Sequence, residues 1–463
     1  MKNITRILTW CGKWAKKRYT PLAVFTIYKL IFDWNYVYFI APLYGYSGFG
    51  YSPSLSAWVI SITISVTVFW LIYDPKKEVS NTILSIFLLV TYVPLSSYFA
   101  FSGQSIRYFL YVSFCWVFVK LLLDISFEKW LDNDISTIIN RTLGRLVSYK
   151  IIVIKLIHLM LLFICCVITI LTLFGLYRYT DIASWFITLD ITRVYEIRQD
   201  LDFPSWFSYI FTWQSNVIIP FLVTYLIYIK KYYLIILPLS LQIFMYLSTG
   251  TRAILLSIPL YILILVIFRF KYAFMTFATL IGAGVAAISS LVLFSWNGLF
   301  AHSLIVRRTF FVPPLVEYSY FNHFQASPML FFSESRIGSL FGLSSPYPIS
   351  STRLISFSLH GTAITSTNTG FMASAFADMG FMGMIIIAVL FFVFIKYCCV
   401  VFRRLPLNLV IAALIVPVYS LANSAFFTSM LSHGIGIIVI LLSLLALADT
   451  IKKINAGGVG VNE

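Results

Sequence analysis

Twelve stretches of the chain run for about 17–25 residues with almost no charge, the length a helix needs to cross a bilayer. They lie near 22–43, 57–73, 79–101, 107–123, 151–175, 206–229, 232–249, 252–268, 272–295, 378–399, 407–424 and 431–449. The pattern predicts an all-α polytopic membrane protein with about 12 transmembrane helices, one multi-pass domain over residues 1–463. The first stretch contains Lys29 and Asp33 and is followed by no small-residue cleavage site, so it is read as a retained helix and not a signal peptide. Lys29 and Asp33 are i, i+4 and are expected to pair on one helix face.

Four segments interrupt the apolar pattern. Residues 124–150 carry Ile135, Ile138, Ile139, Leu143 and Leu146 at helical spacing beside Arg141, Arg145 and Lys150. They predict a helix lying along the cytoplasmic membrane surface. Residues 176–205 form an extracytoplasmic loop in which Asp190 can cap a short helix bearing Arg193, Glu196 and Arg198. Residues 296–370 form a large extracytoplasmic loop between helices 9 and 10, rich in Tyr, Phe, Ser and Pro. A connection of that length is usually functional, and its aromatic content argues against disorder. The final INAGGVGVNE has the composition of a tail.

Composition agrees with a membrane class: 60% of residues are hydrophobic and 11% charged, against about a quarter charged in soluble domains. The net charge of +16 would suit nucleic acid on a water-exposed surface, but here it sorts by membrane side. With the N-terminus cytoplasmic, 21 basic residues fall on inner segments, nine on outer ones, and Lys29, Lys120 and Lys155 within spans. Both termini are then cytoplasmic, as the positive-inside rule requires. The nine outer residues are all arginine, Arg107, Arg178, Arg193, Arg198, Arg252, Arg307, Arg308, Arg336 and Arg353, and none of the 17 lysines is among them. Arginine presents a planar fork that grips phosphate or carboxylate in two places, where lysine is a hydrated point charge. The bias points to an outer site for an anionic ligand; the competing reading is surface preference alone. No outer segment contains cysteine, so no disulfide is expected.

Three short blocks carry candidate chemistry. Arg252 in STGTRA occupies a very tight outer turn, at the depth of a lipid-linked phosphate. RRTFFVPPLVEYSYFNHF, residues 307–324, sets Arg307 and Arg308 before Pro313 and Pro314, which are expected to break the helix. If 315–324 is helical, Glu317, Tyr320 and His323 follow at i, i+3 on one face, an acid, a phenol and an imidazole beside two arginines. Such a group binds a sugar and accepts a hydroxyl proton; the competing reading is an interfacial aromatic belt, which leaves the charges unexplained. The third block is Asn368 in TSTNTGF, followed by the small-residue run ASAFADMGFMG with Asp378 near the outer boundary. No phosphate-binding loop, dinucleotide fingerprint or zinc-ligand spacing occurs, so no cofactor and no metal are expected.

These blocks, in this order and within this layout, resemble the Wzy-type O-antigen and capsular repeat-unit polymerases. The resembling parts are TGTR ending at Arg252, RRTFFVPPLVEYSYF, and NTGF continuing to ADMGFMG. The resemblance implies a GT-C-like, metal-independent glycosyltransferase of the inner membrane. Its donor and acceptor are undecaprenyl-pyrophosphate-linked glycans, among membrane lipids, with a chain-length regulator protein as partner and no nucleic acid. It implies pyrophosphate binding by Arg252, Arg307, Arg308 and Arg353. Sugar contacts fall to Tyr318, Tyr320, Asn322, Asn368, Arg193 and Arg198, and the base is Glu317, His323 or Asp378. An O-antigen ligase of the same architecture, a glycan flippase and a non-enzymatic polysaccharide-export partner remain alternatives.

Overall fold

The computed structural model describes residues 20–76, 78–125, 150–180, 203–270 and 272–455. The expected surface helix of 124–150 and the segment bearing Arg193 and Arg198 lie almost wholly outside the described residues. Among the described residues every regular element is helical, and Ser52 and Ser102 make one isolated bridge. In chain order the helices are α1 (Thr20–Asn35), α2 (Leu55–Ile72), α3 (Val79–Ser102), α4 (Ile106–Asp124), α5 (Lys150–Tyr179), α6 (Ser205–Tyr228), α7 (Tyr232–Thr249) and α8 (Arg252–Ile267). There follow α9 (Ala273–Val292), α10 (Trp296–Phe324), α11 (Arg336–Leu340), α12 (Ser351–His360), α13 (Phe371–Phe402), α14 (Leu407–Tyr419), α15 (Phe426–Leu431) and α16 (Ile435–Asn455).

Among the described residues ten of these are long and apolar enough to cross a membrane: α2 to α7, α9, α10, α13 and α16. Each of the twelve expected spans has a helix; α8 and α14 are the shorter ones, and α1 runs on through a π turn to Tyr44. Along α5 large apolar side chains face outward, Leu159 at 64%, Phe163 at 65% and Ile170 at 64% exposure. A helix this apolar and this exposed needs lipid as its solvent. The chain is a multi-pass, all-helical membrane protein.

The largest departure from the expected layout is α10. Residues 296–370 were expected as one large loop, yet they open with a helix of 29 residues. The proline pair does not break it. Pro313 and Pro314 stand in the first turn of its last section, Val312–Phe324, directly after a π-helical stretch His302–Phe311. The same device recurs at Pro42, Pro94 and Pro220, each following a five-residue π turn. Proline lacks an N–H and crowds the carbonyl four residues back; a widened turn removes both conflicts, so the helix continues.

The chain divides into two compact units. The first comprises residues up to Asp124, Phe270–Phe394 and Leu421–Phe426. In it α3 is buried along almost its whole length. Lys29 and Asp33 are both buried and pair within α1, as their spacing predicts. Lys29 also donates to Ser97 Oγ at 3.1 Å, and Trp58 Nε1 donates to Asp33 Oδ2 at 3.1 Å. Removing one partner of a buried pair strands the other charge. Lys29→Ala is therefore expected to cost about 3–5 kcal/mol, seen as a large fall in thermal midpoint in detergent. An unchanged midpoint would show the pair to be dispensable.

The second unit comprises Ile125–Arg269, Ile395–Ser420 and Phe427 onward. Its core joins Leu176, Phe207, Phe211, Ile219, Met245 and Ile254. Gln242, wholly buried, ties α7 to its neighbours by donating to Ser257 Oγ at 2.9 Å and to Ile254 O at 3.0 Å.

Candidate functional site

Within the first unit the two ends of α10 lie at one end of the helices, while its middle packs deeper, Phe310 and Phe311 against Phe32 of α1. Ser52 N–H donates to Phe101 O at 2.7 Å, so the 45–54 connection and the α3–α4 turn share that end. Near the start of α10, His302 Nδ1 lies 3.2 Å from the Tyr44 hydroxyl; near its finish, Asn322 Nδ2 donates to Gln104 Oε1 at 2.9 Å. A 29-residue helix is about 43 Å long, and one passing through the bundle would reach opposite ends. Both ends of α10 reach the same one.

α10 carries most of the candidate residues. Arg307 is half-buried with its guanidinium over the Tyr44 ring, 4.8 Å from the centroid. The Tyr44 ring in turn stacks on buried His302, centroids 5.8 Å apart and planes within 4°. Arg307 Nε is shielded from solvent and has no hydrogen-bond partner among the described residues. Arg308, next along, is exposed. Among the described residues neither arginine forms a salt bridge, and the two ion pairs found there are Lys29–Asp33 and Lys120–Asp124.

Ten residues on, about 15 Å along the helix, Glu317 is buried and accepts from Tyr108 Oη at 3.1 Å. It borders a cavity of about 20 Å³ also lined by Thr91, Tyr92, Trp116, Phe371 and Ala422, room for one water molecule. Gly370 abuts it: a Cβ there would stand 2.9 Å from Glu317 Oε1 and from Ala422 O. Tyr318 is fully buried, its ring against Tyr98 and Tyr108. Tyr320 Oη donates to Thr367 O at 3.2 Å. Thr367 N–H donates to Thr352 O at 3.0 Å, which brings the 367–370 segment and α12 against α10. His323 packs on Phe324 and Tyr347, and its Nε2 has no partner. Burial holds the Tyr347 phenol above its ordinary pKa, so it stays a donor, to Pro328 O at 2.6 Å.

The acid, phenol and imidazole expected on one face therefore have separate surroundings. Each i, i+3 step turns the direction by about 60°, so two steps spread Glu317 and His323 by a third of the helix circumference. Glu317 faces the bundle, Tyr320 faces 367, and His323 faces Tyr347.

Asp378 ends the first section of α13. Phe332 N–H donates to its Oδ1 at 3.1 Å, while Leu330 and Phe331 N–H groups donate to the Ala377 and Asp378 carbonyls at 3.0 and 2.9 Å. Its carboxylate thus anchors the segment that follows α10. Glu334 plays a similar part, accepting from Ser351 N at 2.7 Å and Ser351 Oγ at 2.5 Å at the start of α12. Arg353, in the first turn of α12, and Asn368 are exposed.

Arg252 belongs to the second unit and opens α8. The turn before it is two residues, as the sequence implied: Gly250 takes φ +61° and caps α7 on Tyr246 O at 2.7 Å, and Thr251 precedes Arg252. Sequence reasoning missed Tyr44, His302 and Tyr108 as partners. Tyr108 and Glu317 are 209 positions apart, and no local spacing signals such a pair. Among the described residues no three His, Cys, Asp or Glu side chains come together as a metal set. No protein-family profile matches the chain, and no curated protein or solved structure matches it.

Proposed function

We propose that the chain is a membrane-embedded glycosyltransferase that joins undecaprenyl-pyrophosphate-linked oligosaccharide repeat units into O-antigen or capsular polysaccharide. On this reading the end of the first unit where α10 starts and finishes is the outer face of the cytoplasmic membrane, and both termini are cytoplasmic. The observation that carries it is the pair Arg307 and Arg308, guanidinium groups with no salt bridge among the described residues, on a helix whose two ends meet one end of a membrane bundle. An unpaired cation at headgroup depth is a binding site for a lipid-borne anion.

The chemistry follows from the leaving group. A hydroxyl at the non-reducing end of the acceptor attacks the anomeric carbon of the donor, the anomeric C–O bond to pyrophosphate breaks, and undecaprenyl pyrophosphate departs with the electron pair. Arg307 and Arg308 stabilise the charge developing on the pyrophosphate in a site poor in water. The hydroxyl proton passes to a base. Of the three candidates, Glu317 and Asp378 each hold a donor already, and His323 has an Nε2 without one. Tyr318 and Tyr320 form the wall behind the sugar, with Asn322 and Asn368 at its rim. Arg353 stands on the neighbouring helix as a further phosphate ligand. Arg252 is assigned phosphate binding on its own account, from its place at the head of α8. The resemblance adds a chain-length regulator protein as partner.

Deletion of the gene followed by sizing of the surface glycan tests the function. The proposal expects single repeat units attached where long chains stood. Carrier-linked polymer without transfer would indicate a ligase instead, and cytoplasmic accumulation of repeat units a flippase. Arg252→Lys is expected to lose most chain extension while the protein still inserts, because an ammonium lacks the fork. Full extension in that variant would remove Arg252 from the phosphate ligands.

A further inference from the structure

The second unit holds a cavity of about 450 Å³ that the polymerase reading does not use. It opens where α5, the exit of α6 and α16 meet, and its polar lining is His158, Tyr228, Lys230, Asp449 and Lys452. Ile154 and Leu445 supply part of an apolar wall. Tyr228 Oη donates to Asp449 Oδ1 at 2.5 Å, which ties α6 to α16 and occupies one oxygen of the acid. His158 Nδ1 is shielded from solvent and has no hydrogen-bond partner. Lys230 sits just past the end of α6 with φ +62°, a left-handed conformation that turns the chain at the cavity rim. Both Lys230 and Lys452 are exposed, and neither forms a salt bridge among the described residues.

Two ammonium groups and an imidazole around one acid give a cavity with a cationic surplus and an aliphatic side. Its volume is that of a small-molecule site. Its composition matches a phosphate ester: the lysines meet the anion as point charges, and the aliphatic wall takes what the phosphate carries. We infer that this cavity binds a phosphate-ester anion, the natural one being the headgroup of an anionic phospholipid whose chains lie along Ile154 and Leu445. Basic pockets between membrane helices favour such headgroups by charge and depth together. The site is a second one, independent of α10.

The test uses the full-length protein purified in detergent, with retained lipid measured by native mass spectrometry and thermal midpoint measured in parallel. The probes are phosphatidylglycerol, phosphatidylcholine and inorganic phosphate. Wild type is expected to retain phosphatidylglycerol over phosphatidylcholine. Lys230→Gln and Lys452→Gln are each expected to weaken retention about tenfold, the loss of one charge-assisted contact, with the midpoint of the lipid-free protein unchanged. Stabilisation of wild type by inorganic phosphate, absent in both variants, would support the same site with a soluble phosphate ester as its ligand. Equal retention of both lipids, with no phosphate effect and no change in the variants, would overturn the inference.

Discussion

Arg307→Ala is expected to lower glycan chain extension about 10²–10³-fold, the loss typical of removing one preorganised donor to a developing anion. The protein should still insert. Arg307 rests on Tyr44 without a carboxylate partner among the described residues, so the change strands no buried charge there. Its guanidinium forms no salt bridge among the described residues, so the group has capacity left for a ligand. Tyr44 and His302 lock the guanidinium face from behind, and that rigidity is what makes a donor worth more than it would be in water. Arg307→Lys should restore only a small part of the activity, since an ammonium keeps the charge and loses both the stacking plane and the fork. Chain length distribution on the surface glycan reads the result. Wild-type chains in Arg307→Ala would remove Arg307 from the pyrophosphate site.

Gly383→Ala is expected to be strongly destabilising. α13 is two helical sections joined at Met379 (φ −147°, ψ 26°) and Gly380 (φ 60°, ψ −145°). The Gly380 conformation is one that residues with a Cβ essentially do not adopt. Past this joint the chain doubles closely against its own first section, and a Cβ on Gly383 would stand 2.1 Å from Ala375 O. The atom struck is backbone, so no side chain can swing away. The two sections must therefore move apart. A cost of at least about 3 kcal/mol is expected, the upper range for overpacking. Gly284→Ala in α9 is the control: nothing lies within 4 Å of its Cβ, and alanine favours a helix by about 1 kcal/mol. A thermal midpoint in Gly383→Ala equal to that of Gly284→Ala would refute the close approach.

The spans were legible because a bilayer imposes one strong rule, a long apolar run, and each of the twelve such runs contains a helix. The Lys29–Asp33 pair was legible for the same reason, since i, i+4 is a local relation. α10 was not. Arg307, Arg308 and the proline pair interrupt its apolar run, and the device that admits proline, a preceding π turn, has no plain sequence signature. The candidate blocks were found by residue type, and α10 does carry Arg307, Arg308, Glu317, Tyr318, Tyr320, Asn322 and His323. What lay beyond reading was tertiary: Tyr44 beneath Arg307, Tyr108 on Glu317, and Phe332 N–H on Asp378, contacts between positions far apart in the chain.

The central claim is transfer between two lipid carriers, and reconstitution measures it directly. Purified protein in liposomes receives undecaprenyl-pyrophosphate-linked repeat units and nothing else. The account predicts lipid-linked chains of two and more units, with one undecaprenyl pyrophosphate released for each linkage formed. Substrate recovered unchanged, or consumed only when a separate lipid A–core acceptor is added, would contradict it.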